Sequence, residues 1–181
     1  TQPLEPRRLD GEAARRALTA RLDEHPLAVG ERHPVGPVGV TAGDGFAGLK
    51  AVLPPPSRRG LVLVDPSYEL ATDYRAVVTA LHDGMERFAT GTYVVWYPLL
   101  QRRESVELPE KLRRAVDADW LDIALQVKVP SPDGLGLHGS GLFIVNPPWK
   151  YSEQMRGTLP WLARALAQDG AAGFRIDAHE T

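Results

Sequence analysis

The sequence contains no cysteine and no apolar run approaching the length of a membrane-spanning helix. Without cysteine among its 181 residues, the chain has no disulfide, no thiolate ligand for a metal and no thiol nucleophile. A spanning helix needs about 20 consecutive apolar residues, whereas the longest clean runs lie near Leu61–Val64 and Tyr93–Tyr97. We therefore expect a cytoplasmic protein without a membrane partner.

A large excess of charge of one sign is also missing. The chain carries 21 Lys and Arg residues against 23 Asp and Glu residues, a net charge of −2. This balance argues against binding to nucleic acid through bulk charge, although it leaves a local basic face possible. The five histidines are scattered along the chain, so no metal site is predicted.

Proline and glycine, at 16 and 17 residues, divide the chain into short elements that alternate between strand and helix. Helices are predicted at about 11–23, capped by Asp10, and at 46–53, 73–87, 107–116 and 152–167. Strands are predicted at 38–41, 61–64, 92–97, 121–129, 142–145 and 173–176. This alternation predicts an α/β fold with a mostly parallel sheet, in which the strands at 121–129 and 142–145 form an antiparallel hairpin near one edge.

Two of these predictions depend on clear hydrophobic patterns. The predicted helix at 73–87 places Tyr74, Val77 and Leu81 on one face, as the 3.6-residue period requires. The run Leu61–Val64 shows no alternation, which is typical of a strand covered on both faces. The length of 181 residues suits a single domain.

Polar turns follow two of the predicted strands. Gly43-Asp44-Gly45 comes after the strand at 38–41, and Asp65-Pro66-Ser67-Tyr68 comes after the strand at 61–64. Either turn alone is an ordinary structural feature. Because ligands bind beyond the carboxyl ends of strands in open α/β sheets, the two turns together predict a binding site there.

Two other motifs are interpreted as structural. The run from Gly134 to Gly139 matches GxGxxG, but it lies between two strands, whereas a dinucleotide site needs a helix after the glycines. It is interpreted as a flexible loop. Asn146-Pro147-Pro148-Trp149 is interpreted as a rigid turn that begins the last helix, with Trp149 packed, although a second acceptor turn is the alternative.

The turn at 65–68 resembles the [Asp/Asn]-Pro-Pro-[Tyr/Phe/Trp] motif of amino-group methyltransferases that use S-adenosylmethionine. The likeness extends, in order and spacing, to the segments 44–46, 53–55, 57–60, 72–74, 87–93, 96–98 and 146–150. Together these segments are similar to the bacterial 23S ribosomal RNA adenine-N6 methyltransferases of the RlmJ type. The resemblance covers about residues 44–166 and departs from the motif at Ser67, where the family has proline.

The resemblance implies a Rossmann-like, S-adenosylmethionine-dependent methyltransferase domain spanning residues 1–181 and lacking its N-terminal part, with the Gly-rich cofactor loop upstream. It implies methyl transfer to the exocyclic N6 amine of an adenine in 23S ribosomal RNA, with S-adenosylmethionine as cofactor and no metal. By position, Asp65, Pro66 and Tyr68 would be catalytic. Asp44, Gly45 and Asp65 would bind the cofactor, and the protein is expected to be a monomer.

The proposed chemistry suits these residue types. An adenine amine is a poor nucleophile because its lone pair is delocalised into the ring. The Asp65 carboxylate and the Pro66 carbonyl could both accept its hydrogens, and the proline would hold the turn rigid. Tyr68 would stack on an unstacked or extruded base.

Some alternatives remain open. A non-catalytic RNA- or nucleotide-binding module would account for a missing cofactor loop, and a DNA adenine-N6 methyltransferase shares the four-residue motif. Near the strand ends, Lys50, Arg58, Arg59, Arg102 and Arg103 could contact phosphates or be ordinary solvated charges.

Overall fold

The computed structural model describes residues 42–180. The helix predicted at 11–23 and the strand predicted at 38–41 lie outside the described residues. The prediction of one methyltransferase domain over residues 1–181 remains a prediction for the same reason. Among the described residues, no helix combines the length and the apolar character needed to cross a membrane.

The described chain alternates between helix and strand before it ends in antiparallel strands. Its helices are α1 (Gly45–Val52), α2 (Ala71–Arg87), α3 (Arg103–Arg114) and α4 (Tyr151–Ala165), and its strands are β1 (Leu61–Val64), β2 (Thr92–Leu99), β3 (Trp120–Gln126), β4 (Gly139–Val145) and β5 (Gly173–His179). The strands form one sheet in the order β1-β2-β4-β3-β5.

The sheet is mixed rather than mostly parallel in the part of the chain that the structure describes. β1 pairs with β2 in parallel, whereas the pairs β2–β4, β3–β4 and β3–β5 are antiparallel. The predicted hairpin of β3 and β4 is therefore confirmed, and so is the last strand at the sheet edge. The difference arises because β4 enters between β2 and β3 rather than following β3 outward.

Side chains alternate between two cores, one on each face of the sheet. On one face, Tyr93 and Val95 of β2 pack with Tyr74, Val77 and Leu81 of α2. The opposite core contains Leu121, Ile123, Ile144 and Leu159, so α4 covers that face. Helices on both faces give the three-layer α/β arrangement that the alternation predicted.

β1 differs from its prediction because it is a sheet edge among the described residues. Leu61 and Leu63 are 64% and 62% exposed, although the apolar run predicted a strand covered on both faces. Its single described neighbour is β2. The short run of apolar residues correctly indicated a strand, but it could not indicate how many neighbours that strand has.

α3 begins four residues earlier than the pattern indicated. Its first turns are held by ion pairs from Glu107 to Arg103 and Lys111, while Leu108 and Leu112 are buried. Such i,i+4 pairs stabilise a helix without adding to its hydrophobic periodicity. An apolar pattern therefore underestimates the length of this helix.

Candidate active site

The predicted catalytic turn lies directly beyond the carboxyl end of β1. Asp65 and Ser67 are exposed, and Pro66 is half-buried. Because β1 ends at Val64, the carboxylate of Asp65 is the first charged group beyond the strand. The turn therefore occupies the position where open α/β sheets bind ligands.

The second predicted turn begins α1. Asp44 is the N-cap residue, and its side chain accepts a hydrogen bond from the Phe46 N–H at 2.9 Å. This bond satisfies one of the free N–H groups at the helix start. It engages Oδ1 of the carboxylate, and no other described residue donates a hydrogen bond to Oδ2.

The two turns line a common cleft. The cleft has a volume of about 270 Å³ and is lined by Asp44, Gly45, Phe46, Leu49, Val62, Leu63, Val64, Asp65 and Pro66. The structure thus brings together all of the predicted cofactor-binding residues and two of the three predicted catalytic residues. The lining also includes Phe46 and Leu49 of α1, which were not predicted as site residues. They lie two and five positions after Asp44, and this closeness on one helix could have indicated them.

The cleft suits the adenosine portion of S-adenosylmethionine. An apolar lining flanked by carboxylates accommodates a purine and accepts from its amine, and a carboxylate also favours a nearby cationic sulfonium. Ligand sites typically measure roughly 300–1,000 Å³, so this cleft is just below that range.

Tyr68 does not occupy the position that base stacking requires. Its side chain is 2% exposed, and its ring packs against Tyr74 and Trp96, with centroids 4.9 and 6.0 Å away. The hydroxyl donates to the Trp96 carbonyl at 2.6 Å. Burial raises the pKa of Tyr68, and the nearby Tyr74 and Asp65 raise it further. In this conformation Tyr68 is a neutral anchor for the turn rather than a platform for a base.

The second proline-rich motif follows a central strand and lies at the opposite end of the strands from Asp65. Asn146 follows Val145, which pairs with Tyr93 near the start of β2, whereas Asp65 follows Val64, which pairs with Val95 farther along. The turn precedes α4, as the structural interpretation predicted. The expected packing of Trp149 is wrong, since this side chain is 86% exposed.

The glycine-rich run forms the loop between β3 and β4. Gly134 and Gly136 have φ angles of +76° and +83°, a region that glycine adopts without steric cost. The loop leads into β4 at Gly139, so a strand rather than a helix follows it. The interpretation of this run as a loop rather than a dinucleotide site is therefore confirmed.

Most of the basic residues near the strand ends have partners within the protein. Lys50 pairs with Asp83 at 2.7 Å, and Arg103 pairs with Glu107. Arg102 donates to the main-chain carbonyls of Tyr68 and Glu69. These contacts connect α1 to α2 and the segment after β2 to the turn at residues 65–68. The sequence analysis missed the contacts of Arg102 because they join residues more than 30 positions apart.

A possible metal-binding group occurs on α2. His82, Asp83 and Glu86 bring their ligand atoms within 4.8 Å of one another. The ion pair with Lys50 lowers the pKa of Asp83, and this carboxylate is therefore already partnered. Exposed groups of this kind are common without an ion, and the expectation that no metal is needed remains a prediction.

Comparison with known proteins agrees with the resemblance in the sequence. The family model described as ribosomal RNA large subunit methyltransferase D, RlmJ, matches residues 7–177. The chain belongs to the RlmJ family.

Individual relatives of the RlmJ family match over most of this chain. The ribosomal RNA large subunit methyltransferase J of Escherichia coli strain K12 is 43% identical over 147 residues, which is 81% of this chain and 52% of the relative. The protein of the same name from Haemophilus influenzae is 41% identical over 140 residues, or 77% of this chain and 50% of the relative. The chain thus spans about half the length of these curated relatives.

A solved structure resembles the fold. The crystal structure of protein LPL1258 from Legionella pneumophila aligns with a TM-score of 0.73 and 31% sequence identity. The alignment covers 81% of this chain and 54% of that protein. The mixed α/β arrangement described above is therefore also found in an experimental structure.

Proposed function

We propose that this chain is part of an enzyme that transfers a methyl group from S-adenosylmethionine to the exocyclic N6 amine of an adenine in 23S ribosomal RNA. The observation that carries the proposal is the shared cleft, in which Asp44 and Gly45 at the start of α1 meet Asp65 and Pro66 at the end of β1. Membership of the RlmJ family and the names of the curated relatives support the choice of substrate.

Asp65 and Pro66 would act on the target amine. The carboxylate of Asp65 and the carbonyl of Pro66 each accept one N–H, which withdraws the nitrogen lone pair from the ring and directs it outward. The new N–C bond would form as the bond between the methyl carbon and the cofactor's sulfur breaks, so that S-adenosylhomocysteine would leave with the electron pair of that bond, and the amine proton would pass to the Asp65 carboxylate or to water. Because Asp65 is exposed, it can reach a base that the RNA presents unstacked.

Asp44 and Gly45 would hold the cofactor. The free oxygen of Asp44 can accept from an adenine amine, while Phe46 and Leu49 supply an apolar wall. Bound S-adenosylmethionine would supply a methyl group already activated by its sulfonium, so the chemistry requires no metal. The proposal extends to a protein of the cytoplasm that is monomeric and contains no metal. Light scattering of the purified protein can check the monomer, and metal analysis can check the metal content.

The direct test is methyl transfer from labelled S-adenosylmethionine to 23S ribosomal RNA that lacks the modification. We expect Asp65→Ala to lower the rate by about 100-fold or more, a typical loss for a missing acceptor; alanine is chosen because the motif itself admits asparagine. Glu69→Ala is the matched control, because it removes an exposed carboxylate four positions away and should leave the rate within about threefold. Undiminished activity of Asp65→Ala would contradict the role of this side chain.

Cofactor binding is tested separately by calorimetry. Asp44→Asn is the informative variant, since asparagine also caps helices and should keep α1 intact while removing the charge. We expect binding to weaken by about tenfold, the effect of one hydrogen bond to a charged group. A protein that binds RNA but does not bind S-adenosylmethionine would favour the non-catalytic module. Methylation of DNA in preference to RNA would favour the DNA methyltransferase.

A further inference from the structure

The catalytic turn ends in a backbone conformation that needs support. Tyr68 has a φ angle of 55°, in the left-handed region that a bulky residue adopts rarely and at a cost of about 1–3 kcal/mol. Such a conformation persists only where its surroundings hold it. The motif here has Ser67 in place of the family's second proline, so one φ angle of the turn is not locked by a ring.

The side chain of Tyr68 is held from the neighbouring strand. Its hydroxyl donates to the carbonyl of Trp96 at 2.6 Å, and Trp96 lies in β2. The ring is enclosed at 2% exposure beside Tyr74. The anchor therefore fixes the side chain, but it does not by itself fix the peptide groups that follow Tyr68.

Arg102 holds the two peptide groups that follow Tyr68. Its Nη1 donates to the Glu69 carbonyl at 3.0 Å and to the Tyr68 carbonyl at 3.4 Å. Its guanidinium lies 5.7 Å from the centroid of the Tyr74 ring. The Glu104 carboxylate is 4.0 Å from the Arg102 Nε, which is beyond hydrogen-bond distance.

We propose that Arg102 is a positioning residue for the methyl transfer, an inference that rests on the proposed function. By binding the carbonyls of Tyr68, the last residue of the motif, and of Glu69, it keeps the turn from relaxing out of the left-handed conformation. The conformation of this turn then directs the Asp65 carboxylate and the Pro66 carbonyl into the cleft. Because catalysis depends on the aim of both acceptors, a loosened turn lowers the rate of the chemical step without changing the groups that bind substrate.

The competing role for Arg102 is a direct contact to an RNA phosphate. The side chain is 39% exposed, so part of the guanidinium is accessible from solvent. The two roles predict different measurements. A phosphate contact contributes to RNA binding and to its salt dependence, whereas a positioning contact contributes to kcat.

The first experiment measures the turn itself. Hydrogen exchange followed by mass spectrometry on the whole chain compares Arg102→Gln with the unmodified protein. We expect peptides spanning residues 65–70 to exchange at least about tenfold faster in the variant, because local opening becomes easier. Arg103→Gln is the matched control, since its side chain is 86% exposed and pairs with Glu107; it should leave exchange in this segment unchanged.

The second experiment measures kinetics with 23S ribosomal RNA. We expect Arg102→Gln to lower kcat by about 10- to 100-fold, with KM for RNA and Kd for S-adenosylmethionine within about threefold. Arg102→Lys, which can still donate to a carbonyl, should recover part of kcat. The slope of log affinity against log salt concentration should not change. Loss of a phosphate contact would instead make this negative slope shallower by about 0.7 on single-stranded RNA.

Several results would overturn the inference. Unchanged exchange at 65–70 in Arg102→Gln would mean that the guanidinium does not hold the turn. A raised KM with a smaller salt slope and an unchanged kcat would assign Arg102 to RNA binding instead. Absence of methyl transfer by the unmodified chain would count against the proposed function, while the exchange result would still decide whether Arg102 holds the turn.

Discussion

Asp122→Asn provides a sharp test of how the sheet and α3 are held together. Asp122 lies on β3 with 0% of its surface exposed. It accepts from the Tyr97 hydroxyl at 2.6 Å and from Arg113 and Arg175 at 2.7 and 2.9 Å. Asp177 completes the network, because it also pairs with both arginines. One buried carboxylate thus joins β2, β3, β5 and the end of α3.

The size of the effect follows from these contacts. The three hydrogen bonds to the Asp122 carboxylate are charge-assisted and contribute roughly 1.5–3 kcal/mol each, and removing one partner of a buried ion pair typically costs about 3–5 kcal/mol. Asparagine keeps the shape and one acceptor, so we expect Asp122→Asn to lower the free energy of unfolding by about 3 kcal/mol. For a chain of this size that corresponds to a fall in Tm of about 6–12 °C.

Urea denaturation followed by tryptophan fluorescence is a suitable assay, because the ring of Trp120 lies 5.0 Å from the Arg113 guanidinium. Glu107→Gln is the matched control. Glu107 also receives two cationic partners, Arg103 and Lys111, but on an exposed helix surface, where ion pairs contribute little. A loss for Asp122→Asn no larger than the loss for Glu107→Gln would refute the reasoning.

Three further predictions concern packing, a turn and pH. In Gly141→Ala, the new Cβ would lie 2.0 Å from the Tyr97 Cζ, and because the ring is buried and bonded we expect a loss of about 1–3 kcal/mol in denaturant unfolding. Asn146 has a φ angle of 51°, and its side chain donates to two main-chain carbonyls at 2.7 and 2.8 Å. Asn146→Ala loses both hydrogen bonds and tolerates this φ angle poorly, so we expect the free energy of unfolding to fall by about 2–3 kcal/mol. Asp177 has its pKa lowered below the ordinary 3.8, chiefly by Arg175. Its stabilising contribution is therefore complete above about pH 5 and lost as the pH falls through the lowered pKa, so Asp177→Asn should flatten the acid limb of stability against pH.

Each of these predictions has a control. A Cβ at Gly173 meets nothing within 4 Å, so Gly173→Ala should leave stability nearly unchanged, and an equal loss in both glycine variants would contradict the packing argument. Asn146→Gly tolerates the positive φ and should lose only the hydrogen bonds. We compare the free energy of unfolding of Asp177→Asn and of the unmodified protein between about pH 5 and pH 3. Parallel curves would mean that the ionisation of Asp177 does not contribute to the loss of stability in acid.

Local patterns in the sequence determined most of the elements. The spacing of Tyr74, Val77 and Leu81 predicted α2, and all three side chains are buried. The apolar runs predicted β1 and β2, because a short run of branched and aromatic side chains favours extended backbone. The cleft residues Asp44 and Asp65 were also predicted, since polar turns after strands of an α/β sheet meet at the same edge.

Only the tertiary structure decided how those elements are arranged. The insertion of β4 between β2 and β3 depends on pairing between distant strands. An apolar run is equally compatible with a central strand and with an edge strand, the position that β1 has among the described residues. Tyr68 has the residue type of a stacking platform, but its burial is set by Trp96 and Tyr74 from other elements. Asp122 and Arg102 look like ordinary surface charges in the sequence, because the partners that define them are brought together only by folding.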